Sequence, residues 1–218
     1  MKHCDNTWSI HFSFLFIFHT VCTRQVFNLA FLVDGSASIK NLQPEDTTRY
    51  KDLIKSVYNF YNVSQNGANV GVVVYSSSAT TEFKFNRYYS KSDINSAIDA
   101  ILFPGESTRT GSGLTAVRND LFADGRTGIP NFLVVLTDGV AIDDITVPSA
   151  FLRAMNVYIL VVGIGDFYAR PQLDDMATDP DASYVFKAST YDMLPTTATQ
   201  IKQRICRGSV KLYLLTQC

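Results

Sequence analysis

The segment that most constrains this chain is residues 27–39, FNLAFLVDGSASI, an apolar run that stops at an acidic residue. Leu29, Ala30, Phe31, Leu32 and Val33 follow one another without alternation. Such a run suits a strand buried on both faces, as in a parallel sheet, which in turn demands crossover helices. Asp34, Ser36 and Ser38 then stand at i, i+2 and i+4, with Gly35 read as the residue that permits the tight turn. One carboxylate and two hydroxyls at the end of a strand make an all-oxygen group. Oxygen-only groups suit Mg²⁺, Ca²⁺ or Mn²⁺ rather than zinc or copper. Taken alone, D-G-S is as well explained by a turn in which these side chains bond nearby backbone.

The rest of the 218-residue chain supplies strands and helices in alternation. Pro44 opens a helix running to about residue 61, with Leu53, Val57 and Phe60 at helical spacing beside Ile54 and Tyr61. Residues 68–75 (ANVGVVVY) read as a second buried strand, and 80–85 as an antiparallel edge strand. Ser90 and Asp93 resemble a capping box before a helix through Ala100. A loop at 103–111 (FPGESTRTG) precedes a helix carrying Leu114, Val117 and Leu121. Residues 131–137 (NFLVVLT) form a central strand ending at Asp138-Gly139, and 157–164 (VYILVVGI) another. Short helices are expected around 148–155 and 173–176, an outer strand at 184–186, and a last helix from about 191 to Cys206. This pattern predicts a doubly wound, Rossmann-like α/β fold. Its sheet is mostly parallel with one antiparallel edge strand, and helices cover both faces.

The ends of the chain read differently. Lys2 and His3 precede an apolar segment at 10–22 (IHFSFLFIFHTVC) with four phenylalanines and no polar face. It is too short to span a bilayer and has the dimensions of a secretory signal, giving a leader at 1–22 cleaved at 20–23. Residues 26–206 then form the domain and 207–218 a tail. An exported chain is consistent with four cysteines and with the sequon Asn62-Val63-Ser64, which makes Asn62 a glycosylation candidate. Ends that meet in an open α/β sheet favour a Cys22–Cys206 bridge. Cys218 would then be the odd thiol, available to another chain. If cleavage removes Cys22, Cys206 and Cys218 are left to pair. Nineteen basic residues against twenty acidic ones, without a basic cluster, give no support to nucleic-acid binding.

Ligands of doubly wound sheets bind beyond the carboxyl ends of the strands, where the winding reverses. Asp34, Ser36 and Ser38 follow the first strand, Asp138 follows the fourth, and Thr108 sits in the loop ahead of a helix. Two carboxylates and three hydroxyls from three loops are more specific than any one of them. The D-G-S-A-S at 34–38, T-R-T-G at 108–111 and L-T-D-G at 136–139 resemble the von Willebrand factor type A domain. The resemblance covers about residues 26–206, and all five positions of the family's metal-ion-dependent adhesion site match. Asp143-Asp144 and Ile205-Cys206 look closest to extracellular-matrix members such as matrilins and the type A modules of collagens.

The resemblance implies that the hydroxyls of Ser36, Ser38 and Thr108 bind Mg²⁺, or Mn²⁺ or Ca²⁺, directly. Asp34 and Asp138 would act directly or through bound water. It also implies a secreted adhesion or matrix-binding module whose metal takes an Asp or Glu carboxylate from a partner protein, collagen or another matrix protein. Gly105-Glu106-Ser107 departs from a common family pattern, which puts an extra negative charge beside the threonine. In integrin relatives ligand binding moves the last helix; a Cys22–Cys206 bridge would hold it, implying a binder of fixed affinity.

Two other function classes are weighed against this. A metal-dependent hydrolase is disfavoured: phosphatases that open on such a strand carry a second aspartate where Ser36 stands. The three histidines, His3, His11 and His19, all fall in the leader, and neither a phosphate loop nor a G-x-S-x-G elbow occurs. Gly163-Ile164-Gly165 only weakly echoes a nucleotide fingerprint. The alternative that survives is a matrix structural protein that self-associates without using the metal. The expectation is therefore a binding protein rather than an enzyme, with no membrane span after the leader.

Overall fold

The computed structural model describes Cys22 and residues 25–123 and 125–217, with side chains as far as Ser209. The expected leader, apart from Cys22, lies outside the described residues, and so does Cys218. Six strands form one sheet: β1 (Phe27–Asp34), β2 (Ala68–Tyr75), β3 (Ala79–Phe83), β4 (Asn131–Thr137), β5 (Val157–Ile164) and β6 (Val185–Ala188). Their spatial order is β3-β2-β1-β4-β5-β6, all parallel except β3, which pairs antiparallel with β2 at the edge.

All eight residues of β1 and all eight of β2 are buried, because helices cover both faces. One layer is α2 (Pro44–Asn59), flanked by α3 (Lys91–Asp99) and the last helix, α8 (Leu194–Gln217). The other is α4 (Thr110–Ala116), α5 (Thr146–Ala154) and α6 (Arg170–Met176). Short helices α1 (Ala37–Lys40) and α7 (Asp181–Tyr184) complete the set. Each fully buried valine or leucine of β1, β2, β4 and β5 contributes on the order of 1.5–3 kcal/mol relative to exposure, so the central strands are the thermodynamic foundation.

Local chemistry accounts for most boundaries. Pro44 starts α2 with Glu45 and Asp46 in its first turn, where the helix dipole favours negative charge. The Ser90 hydroxyl accepts the Asp93 N–H (3.2 Å) and caps α3. Three details differ from expectation. Phe60 was placed on the buried face of α2, yet it is 50% exposed. It is the C-cap residue of α2, still helical in its backbone, and its ring meets the edge of Tyr61, centroids 5.1 Å apart. The helix after α4 widens into a π-helical turn at Val117–Phe122, which periodicity alone does not reveal. The final helix continues past Cys206 to Gln217, since nothing after Gly208 breaks it.

The two ends of the described domain are covalently joined. Cys22 and Cys206 form a disulfide, Cα atoms 5.4 Å apart and 184 residues apart in sequence. The Tyr61 hydroxyl also donates to the Lys202 carbonyl (2.9 Å), tying α8 to the end of α2.

Candidate metal centre

The chain reverses its winding between β1, from which it proceeds to β2 on one side, and β4 on the other. At this switch point β1 ends in a carboxylate and β4 is followed directly by one. Asp34 closes β1 and is fully buried. Its Oδ1 accepts the Ser36 N–H (2.9 Å), and its Oδ2 accepts the hydroxyls of Thr137 (2.8 Å) and Tyr75 (3.1 Å). Tyr75 is the register partner of Asp34 and itself accepts a hydrogen bond from Thr110 (3.2 Å). Tyr50 donates to the Asp34 carbonyl (3.2 Å). Burial pushes the Asp34 carboxyl above its ordinary value, and the bonds from Ser36, Thr137 and Tyr75 work in the opposite direction.

Ser36 occupies the N-cap position of α1 but makes no capping bond with its side chain. Its Oγ lies 3.1 Å from that of Ser38, and Ser38 donates to Asp138 Oδ1 (2.8 Å). Asp138 is half-buried. Burial is the main cause that raises its pKa to about 6; the Ser38 bond opposes this and the charge of Asp34 adds to it. No lysine, arginine or histidine makes an ion pair with Asp34 or Asp138 among the described residues. Nor do the described residues contain a group of three or more His, Cys, Asp and Glu side chains placed to hold a metal ion. The site is hydroxyl-rich by construction.

Thr108 arrives from a third loop, laced to the first by two backbone bonds. Gly105 N–H donates to the Gly35 carbonyl (2.8 Å), and Ala37 N–H to that of Glu106 (3.0 Å). The Thr108 carbonyl accepts the Ile142 N–H (3.0 Å), which joins this loop to the one after β4. Thr108 Oγ1 lies 3.5 Å from the point where a Cβ on Gly139 would stand. Asp34, Ser36, Ser38 and Asp138 thus share one hydrogen-bonded cluster, with Thr108 across Gly139 and not bonded to them. Asn62, the glycosylation candidate, is exposed in the turn between α2 and β2, remote from this cluster.

Gly35 has a different reason from the one expected. Its backbone is not in the left-handed region; a Cβ there would lie 2.8 Å from Val74 Cγ1 and 2.9 Å from Pro104 Cδ. Space under the 103–109 loop, not turn conformation, requires glycine. Gly111 is similar, since the Asp144 carbonyl oxygen would sit 1.9 Å from its Cβ. That approach lets the Asp143 carboxylate accept the N–H groups of Gly111 (2.9 Å) and Ser112 (2.8 Å), satisfying the first turn of α4. Sequence reasoning missed Tyr75, Thr137 and Asp143 as supports of the site. Thr137, adjacent to Asp138, and Tyr75, at the end of a buried strand, are polar residues in apolar runs, the one signal that pointed to them.

The donor set fits a small hard cation. Ser38 Oγ lies 3.1 Å from Ser36 Oγ and 2.8 Å from Asp138 Oδ1. Ligands at about 2.0–2.1 Å in an octahedron are spaced at roughly 2.9 Å along its edges. The profile of the von Willebrand factor type A domain matches residues 28–200. The chain belongs to this family.

Among type A relatives, the collagen alpha-4(VI) chain of Mus musculus is 32% identical over 187 residues, 85% of this chain and 8% of the relative. Matrilin-1 of Gallus gallus is 30% identical, over 82% of this chain and 36% of the relative. Proximal thread matrix protein 1 from the mussel byssus, solved with a zinc-occupied MIDAS motif, superposes with a TM-score of 0.79 at 28% identity. That match covers 85% of this chain and 46% of the mussel protein. The chain therefore spans less than half the length of each of these relatives. Among its described residues no helix is long and apolar enough to cross a membrane.

Proposed function

We propose that this type A domain is an extracellular, divalent-cation-dependent protein-binding module of the matrix. One observation carries the reading: two carboxylates meet at the sheet's switch point, surrounded by hydroxyls and without a basic side chain to neutralise them. Two like charges in a half-buried site call for a cation. Ser36, Ser38 and Thr108 would hold it through their hydroxyls, and Asp34 and Asp138 directly or through water. The donor chemistry favours Mg²⁺, with Mn²⁺ or Ca²⁺ as alternatives; zinc belongs to the mussel protein. When bound, the ion supplies a positive centre with a coordination position that a partner's Asp or Glu carboxylate fills.

The chain's own residues do the rest. Thr137 and Tyr75 bind Asp34 so that it cannot swing out to compete with that carboxylate. The backbone lacing of the 34–37 and 103–109 loops preorganises the hydroxyls. The domain binds rather than catalyses. Its partner is collagen or another matrix protein, in keeping with the company it keeps among collagen VI and matrilin sequences. The disulfide anchors α8 to the start of β1, which supports a fixed affinity. A second reading, self-association in a matrix with Cys218 linking chains, takes its support from the likeness to a byssal thread matrix protein.

Calorimetric titration of Mg²⁺ and Mn²⁺ into the chain, with and without Ser36→Ala, tests the metal. Saturable binding that the variant loses is expected, and no heat in either would overturn the reading. Binding to immobilised collagens with and without chelator then tests the partner, since retention under chelation favours metal-free association.

A further inference from the structure

At the opposite end of the sheet lies a cavity of about 450 Å³, between the turn after α2, the segment following β3 and the loop before β4. Its size falls within the range of about 300–1,000 Å³ typical of small-ligand sites. The other cavities described are much smaller, 180 and 160 Å³. Such sites are mostly apolar, whereas this one is polar apart from Phe85, Leu121 and the ring of Tyr89.

Arg126 forms its floor. The guanidinium donates to the carbonyls of Phe27 (2.8 Å), Gly67 (2.9 Å) and Gln65 (3.3 Å) and to Asn28 Oδ1 (3.1 Å), all neutral acceptors. It makes no ion pair among the described residues, and neither does Lys84 on the rim. Two cations therefore face a cavity that holds a single carboxylate, Asp120, which accepts the Thr81 hydroxyl (2.6 Å). The amides of Asn66 and Asn86, also lining it, have no hydrogen-bond partner among the described residues, and Asn69 uses only its Nδ2, on the Ser64 carbonyl (2.8 Å). Uncommitted amides, a carboxylate acceptor and an exposed tyrosine ring suit a ligand with many hydroxyls and one apolar ring face. Arg126 and the exposed Lys84, which make no ion pair among the described residues, favour a ligand that also carries negative charge.

We propose that this cavity binds an acidic saccharide, a hydroxyl-rich ring bearing a carboxylate or sulfate. Arg126 and Lys84 take the anionic group, the amides and Asp120 the hydroxyls, and Tyr89 the ring face. The site lies at the amino-terminal ends of β1 and β2, away from Asp34 and Asp138, and does not depend on the metal reading.

The test is a chemical-shift titration of the full chain, oxidised and in the presence of chelator, with a sulfated glucuronate-containing disaccharide. A neutral disaccharide, inorganic sulfate and hexaglutamate serve as comparators. Saturable shifts are expected at Asn69, Asn86, Tyr89 and the Arg126 side chain. Removing Arg126 would also leave its backbone carbonyl acceptors unpaired, so the deciding variants are the exposed Lys84→Glu and Tyr89→Ala. These should weaken binding about tenfold and about fivefold respectively, and Ser36→Ala less than about twofold. No saturable binding, equal or tighter binding of sulfate, hexaglutamate or the neutral sugar, or indifference to both variants would overturn the proposal.

Discussion

The two ends of this sheet use buried polar groups in opposite ways. At the carboxyl end, anions gather: Asp34, held by Thr137 and Tyr75, and Asp138, held by Ser38, lack a basic partner among the described residues. At the amino end a half-buried cation is set among carbonyls. Arg126 bonds to the chain at Phe27, Gln65 and Gly67, while Asn28 Nδ2 donates to Asn131 Oδ1 (2.9 Å) across β1 and β4. Nearby, Cys22 is bonded to Cys206. The amino end is thus cross-linked by groups that the fold itself satisfies. The carboxyl end brings together two carboxylates that make no ion pair among the described residues. The amino end carries the covalent cross-link, and the proposed cation site lies at the carboxyl end.

The largest expected effect separates them most cleanly. Opening the Cys22–Cys206 bridge by reduction or by a double alanine variant should lower stability by about 2–5 kcal/mol in denaturant unfolding. The folded reduced chain should keep its Mg²⁺ affinity within about twofold. A coupled loss of both would break the division between the ends. Next, Arg126→Met strands backbone acceptors at the starts of β1 and β2. It should cost about 2–3 kcal/mol, read as a lower urea midpoint, and again leave cation affinity unchanged.

At the other end the two aspartates should behave unequally without metal. Asp34→Asn loses acceptor capacity facing three donors and should destabilise by about 1–3 kcal/mol. Asp138→Asn can keep its one bond from Ser38 and removes a like charge, so metal-free stability should move by less than about 1 kcal/mol while cation binding is lost. Equal destabilisation would mean that Asp138 also serves the fold. Smallest of all, Glu106→Gln should change Mg²⁺ affinity by less than about threefold. Its side chain is exposed and its carbonyl, not its carboxylate, holds the Ala37 N–H.

Much of this was legible beforehand, for a uniform reason. The strands at 68–75, 131–137 and 157–164 are buried on both faces and so spell themselves out as unbroken apolar runs. Asp34 and Asp138 stand out because each ends such a run, and the switch point follows from the alternation of strands and helices. Boundaries set by packing were not legible. The exposure of Phe60, the π-turn at 117–122 and the extension of α8 depend on what each segment meets, not on its own periodicity. The expected role of Gly35 in turn geometry gave way to a close approach by Pro104, a loop distant in sequence.

By itself, then, the sequence determined which segments are strands and that the candidate hydroxyl and carboxylate residues follow the strands at the sheet's carboxyl end. All of these follow from local pattern and strand direction. Only the tertiary structure decided that Asp34 would be held by Tyr75 and Thr137, that Asp143 would cap the helix behind Thr108, and that Arg126 would face a cavity without an acidic partner. These are side-chain contacts between segments up to about a hundred residues apart. Sequence pattern reports burial and period, whereas such pairings depend on register and crossing geometry that arise only when the layers pack.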